Sequence, residues 1–115
     1  MNENKLQAYL IREVKTRGLG IAVKVDCSSR RGWPDLVVIP LGGETQFVEL
    51  KTETGQLSLH QIAVIDAIQF YGGRVLTLYG KAAVDDYLKQ LAPFTRSQDD
   101  YQKKLAPFTR SQDDS

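Results

Sequence analysis

Cysteine and histidine are nearly absent: Cys27 and His60 are the single examples in 115 residues. An intrachain disulfide is therefore excluded, and a zinc centre of thiolates and imidazoles has too few ligands. Any resident metal has to rest mainly on oxygen. No apolar run approaches the ~18 residues that a membrane span needs, and the opening stretch MNENKLQAYL is polar, unlike a secretion signal. The expectation is a soluble, cytoplasmic protein. A charge bias is missing too. Lys and Arg number 15 against 14 Asp and Glu, a net charge of +1, and neither half of the chain forms a basic arm. Bulk charge thus exerts little pull on nucleic acid. Such a partner would have to be held by a local cluster, of which Arg30-Arg31 is the best.

What is present is an ordinary globular composition, 42% hydrophobic and 25% charged, enough for one core in one domain. Residues 3–17 place Leu6, Tyr9, Leu10 and Val14 at helical spacing, and Gly18 and Gly20 follow as stop signals. Three short runs rich in branched residues, 21–26, 35–40 and 45–51, read as strands. Gly32 and Pro34 break the chain before the second, and Gly42-Gly43 suits a hairpin between the second and third. Residues 58–73 predict a second helix with Ser58 at its N-cap. It is apolar on most faces and hence expected to be mostly buried. Residues 74–79 predict a fourth strand, and 81–92 a third helix that stops before Pro93. The expectation is a single α/β domain in the order αβββαβα, a mixed central sheet flanked by helices, over residues 1–92.

The remainder, 93–115, carries most of a duplication. DDYLKQLAPFTRSQ at 85–98 is repeated as DDYQKKLAPFTRSQ at 99–112, with differences only at Leu88/Gln102 and Gln90/Lys104. Two copies of so short a unit do not make a solenoid. Ser97 can cap a short helix there, and Tyr101, Leu105 and Phe108 are the residues through which the tail would dock on its own domain or on a partner.

The stretch that carries chemistry runs from Gly32-Trp33-Pro34-Asp35 to Glu49-Leu50-Lys51. Glu49 and Lys51 lie two apart on a strand, so they leave the same face of an otherwise apolar sheet. Charges there are costly unless they pair or bind metal. An Asp from the neighbouring strand beside them makes an oxygen site for a hard divalent cation such as Mg²⁺, with room for water and a substrate phosphate. That is the requirement of phosphodiester hydrolysis, in which Lys51 orients the water or holds a phosphate oxygen. Asp35 and Glu49 share a face only if the connection between their strands has odd length or a bulge.

G-W-P-D, then F-V-E-L-K, then G-Q-L-S-L-H-Q opening a helix resembles the virus-type replication-repair nuclease (VRR-NUC) family of the PD-(D/E)XK nucleases, over about residues 3–80. The resemblance implies a Mg²⁺- or Mn²⁺-dependent DNA endonuclease. Small stand-alone members, common in phages and prophages, resemble Holliday-junction resolvases that act as homodimers on branched DNA. Carried over by motif, Asp35 and Glu49 match the metal-binding acids, the Leu50 carbonyl completes the protein ligands, Lys51 matches the catalytic lysine and Gln61 the glutamine of the following helix. The family acid on the first helix is best matched by Glu3, with Gln7 and Glu13 as alternatives. If it aligns with Gln7, an amide stands where a carboxylate is expected. That departure motivates the rival reading of a catalytically impaired, nuclease-fold DNA-binding module.

Other positions have plainer readings beside the functional ones. Ser58-x-x-Gln61 is a capping box whether or not Gln61 serves a site. Arg30, Arg31 and Lys24 are read as contacts to the DNA backbone, without base readout. Trp33 reads as a wedge that sets its loop, stacking on a base being its other role. His60 is expected to be an exposed first-turn residue, and Cys27 a small buried one.

Overall fold

The computed structural model describes residues 1–26 and 30–91. Cys27, the domain boundary expected at 92/93, and Tyr101, Leu105 and Phe108 of the tail lie outside them. Seven elements follow in the expected order: α1 (Glu3–Thr16), β1 (Gly20–Lys24), β2 (Leu36–Pro40), β3 (Gln46–Lys51), α2 (Leu59–Phe70), β4 (Val75–Tyr79) and α3 (Gly80–Leu91). Helix α1 starts where the Asn2 side chain accepts the Lys5 N–H at 2.8 Å. It is followed by Gly18, whose φ of 65° few other residues adopt.

The strands form one sheet in the order β1-β2-β3-β4. The first three are antiparallel neighbours and β4 is parallel to β3. A parallel pair needs a crossover, and α2 supplies it. Leu36 pairs with Val48 and Val38 with Gln46, and the connection between the two strands, residues 41–45, has the odd length that the acids require. Extending this register by one step sets Asp35 opposite Glu49.

Helices α1 and α3 share one face of the sheet. Leu6, Leu10 and Val14 of α1 and Val84, Leu88 and Leu91 of α3 close over Leu36, Val38, Val48 and Leu50. Each large apolar side chain buried there contributes about 1.5–3 kcal/mol. Two hydrogen bonds fix the helices in place: the Tyr9 hydroxyl donates to Asp85 across the pair, and the buried Tyr87 hydroxyl donates to Gln46 at 2.7 Å.

The other face corrects one expectation. Helix α2, read from its composition as mostly buried, contains no buried residue; Leu59 and Phe70 are 85% and 83% exposed. Its apolar residues are spread around the helix, while the sheet meets only one stripe. No described element covers the β1 and β2 half of this face, where Ile21, Val23 and Ile39 are all exposed.

Candidate metal centre

The strand register brings Asp35 and Glu49 to one end of the sheet, and the first turn of α1 adds Glu3. Oxygen atoms of Glu3, Asp35 and Glu49 lie within 4.8 Å of one another. Asp35 is held from two sides: its backbone carbonyl accepts the Val25 N–H, and Oδ2 accepts the Leu50 N–H at 2.8 Å. Phe47 points its N–H at Arg74 on the β4 side, so alternation turns the N–H and C=O of Leu50 toward β2 and Asp35. The Leu50 carbonyl is thus directed to the edge where the acids converge.

Glu49 is 1% exposed. Its Oε2 accepts the Gln61 amide at 2.8 Å and lies 3.6 Å from the Lys51 Nζ. Its Oε1 is buried without a hydrogen-bond partner. Lys51, largely covered, also faces Glu3 at 3.8 Å. Burial, and after it the Asp35 carboxylate, pushes the Glu49 carboxyl up to about 7 against the pull of Lys51. Burial also raises Asp35, with the Leu50 N–H opposing it.

An orphaned oxygen on a buried acid, beside two further carboxylates, is the environment of a hard cation. Glu3, Asp35, Glu49 and the Leu50 carbonyl could therefore hold Mg²⁺ or Mn²⁺, with positions left for water and a phosphate oxygen.

Of the first-helix alternatives, Glu3 is the one within the cluster. Glu13 is engaged with Arg12 and Arg17. Gln7 is buried, with its Oε1 unpartnered. Gln61 combines both of its readings. Its Oε1 accepts the Ser58 N–H and its own N–H donates to Ser58 Oγ, completing the capping box, while Nε2 reaches Glu49. Replacing it with Glu keeps the cap acceptor but sets a second carboxyl against Glu49. Q61E should therefore lower metal-free stability by about 1–2 kcal/mol at pH 8, and the loss should shrink below pH 6; urea unfolding at the two pH values checks this.

Arg30, Arg31 and Lys24 are exposed, as is His60. Trp33 packs edge-on against Phe47 with ring centroids 5.9 Å apart, in keeping with a wedge. Sequence reasoning took Gly32 for a simple breaker, yet its φ is 87° and a Cβ there would fall 2.6 Å from the His60 carbonyl oxygen. The loop carrying Asp35 passes directly against the first turn of α2, the turn that holds Gln61. The signal for it in the sequence was a glycine next to a Trp-Pro pair, which does not say what the glycine touches.

Comparison with known proteins bears on the family and the fold. The VRR-NUC domain family model matches residues 21–82. A solved structure described as a VRR_NUC domain is 28% identical, with a TM-score of 0.66 over 76% of this chain and 94% of its own. A second, a VRR_NUC domain protein, shares the fold at 14% identity and a TM-score of 0.66, covering 82% of this chain and 90% of its own. No curated protein matches the chain significantly. No helix among the described residues is long and apolar enough to cross a membrane. Since the family model spans more than half of the residues, the chain belongs to the VRR-NUC family and has its nuclease-type fold.

Proposed function

We propose that the protein is a metal-dependent, structure-selective DNA endonuclease that hydrolyses phosphodiester bonds in branched DNA such as Holliday junctions. The observation that carries this reading is the buried, unpartnered Oε1 of Glu49 within reach of Asp35 and Glu3, with Lys51 alongside. Asp35, Glu49, Glu3 and the Leu50 carbonyl would hold Mg²⁺ or Mn²⁺, and a cation there would supply an activated water and neutralise charge developing on the phosphate. Lys51, two residues along the strand from Glu49, holds a non-bridging phosphate oxygen or orients the water through its Nζ protons. Gln61 keeps the Glu49 carboxylate turned toward the cluster by donating to its other oxygen. Arg30, Arg31 and Lys24 grip the DNA backbone from the same end of the sheet.

The test is a panel of labelled four-way junctions, flaps and linear duplexes incubated with Mg²⁺ or Mn²⁺. Metal-dependent cuts near the branch are expected. Tight binding of junctions with no cut in either metal would instead favour the impaired DNA-binding module, the reading that follows if Gln7 occupies the place of the family acid.

The enzyme works as a homodimer, of phage or prophage type, in the cytoplasm. Support for the dimer comes from α2, whose outward stripe of Leu59, Ile62 and Phe70 is exposed and carries one charge, Asp66. Two such stripes can bury their apolar side chains against each other by two-fold symmetry, with the two Asp66 carboxylates turned to the rim. In sedimentation equilibrium the wild type should run as a dimer and the double variant L59E/F70E as a monomer, its dissociation constant raised at least ~100-fold; a wild type that is monomeric at 100 µM, a concentration chosen for this test at about 100 times a micromolar constant, removes the dimer.

A further inference from the structure

Beside the acids lies an open cavity of about 660 Å³ between the sheet and one flank of α2. Trp33 and Phe47 line it from the sheet side, Ala63 and Ala67 from the helix, and the exposed Arg30 and His60 also border it. We propose that this cavity receives one unpaired nucleobase of the DNA, stacked against Trp33, while the phosphate attached to it lies over Asp35 and Glu49.

Several observations converge on that occupant. A volume of this order, bounded by aromatic and small apolar side chains with a few polar groups, is that of a small-ligand site. It adjoins the acids through the covalent chain: Trp33 precedes Asp35 by two residues, and Phe47 precedes Glu49 by two on the same face of β3. That spacing is about 7 Å, which one nucleotide spans from base to phosphate. His60, on its border, immediately precedes Gln61, the donor to Glu49. Arg30 adds a guanidinium beside the aromatic pair, suited to a base plane or to the next phosphate. Helix α2 borders the cavity with the exposed Ala63 and Ala67, and larger side chains there would reach into the space.

A base within duplex DNA cannot enter; it has to leave the stack, at least cost where it is already unpaired. Resting on the nuclease reading, the inference thus narrows the substrate to DNA with an unpaired nucleotide at the scissile phosphate, as at a flap or a frayed branch point. Stacking of this kind tolerates any base, so structure rather than sequence is selected.

Trp33 is the only tryptophan, so its fluorescence reports on the cavity directly. The full chain in EDTA is titrated with a single-stranded thymidine pentanucleotide, with the same strand carrying an abasic central residue, and with a blunt duplex. Quenching by the intact strand is expected, with about tenfold weaker binding of the abasic strand and of the duplex. Ala63→Phe, on the exposed helix surface, should weaken the intact strand about tenfold and slow flap cleavage to match, leaving the melting temperature and its Mg²⁺ shift in place. Equal quenching by intact and abasic strands, or an unaffected A63F, overturns the proposal. A Trp33 signal that follows protein concentration without DNA and is lost in A63F assigns the cavity to a second copy of the chain, and also overturns it. Cleavage indifferent to an abasic residue at the scissile phosphate removes the base site and leaves the nuclease standing. Absence of any cleavage removes the nuclease, and base binding is then decided by the quenching.

Discussion

Glu49→Gln should reduce DNA cleavage at least ~10³-fold and at the same time stabilise the metal-free protein. The two effects have one cause. Glu49 is buried beside Asp35, and its carboxylate is disfavoured by desolvation before any neighbour acts. An amide of the same shape carries no charge to desolvate. Its oxygen can still accept from Gln61, and its N–H₂ can donate to Asp35, satisfying an edge at which Glu49 leaves Oε1 without a partner. A cation, by contrast, loses a negative ligand. Single-turnover cleavage of a labelled junction measures the first effect, and thermal melting in EDTA at pH 8 the second. A variant that cuts within tenfold of the wild type would end the role of Glu49. Equal melting temperatures would mean that the buried charge costs nothing. Asp35→Asn should lose cleavage comparably, because the asparagine oxygen keeps the Leu50 N–H bond while the charge disappears.

Metal-free stability should fall as pH rises, opposite to the trend of a salt-bridged acid. The folded Glu49 carboxyl titrates at about 7 against an ordinary 4.5, so the folded state binds more protons than the unfolded one across that interval. The contribution is complete below about pH 4.5 and is lost as pH climbs through 7, up to about 3 kcal/mol in all. For a domain of this size that corresponds to a melting temperature lower by the order of 10 °C at pH 8 than at pH 5. Divalent metal should reverse the trend, since it binds the deprotonated carboxylates. At one hundred times its dissociation constant it restores about 2.7 kcal/mol. The Mg²⁺-induced shift should therefore be large at pH 8 and small at pH 5.5. A shift independent of pH would place the cation away from Glu49.

Much of this was legible in the chain. The spacing of Leu6, Leu10 and Val14 predicted α1, the branched runs predicted the strands, and an odd-length connection or a bulge between the second and third strands followed from requiring Asp35 and Glu49 on one face. The pairing Leu36 to Val48 has that parity. What could not be read was burial on the second face. A helix apolar on most sides looks like core, but among the described elements α1 and α3 occupy one side of the sheet and α2 part of the other. How much of α2 the sheet covers is set by that layering, which periodicity along the helix does not encode. The double engagement of Gln61 was hidden for a related reason. Local spacing reveals the capping box, whereas the amide's reach to Glu49 depends on the close pass of Gly32 beneath His60, a contact distant in sequence.

That amide also makes the start of α2 a gauge of charge at the acids. One planar group closes the helix cap on its oxygen side and restrains Glu49 on its nitrogen side, so fraying of the first turn and release of the acid are a single event. Whatever strengthens the carboxylate as an acceptor should slow deuterium uptake at the amides of Ser58 and Gln61. Whatever draws the carboxylate away should hasten it, so that residues bearing no negative charge keep a record of the state of those that do.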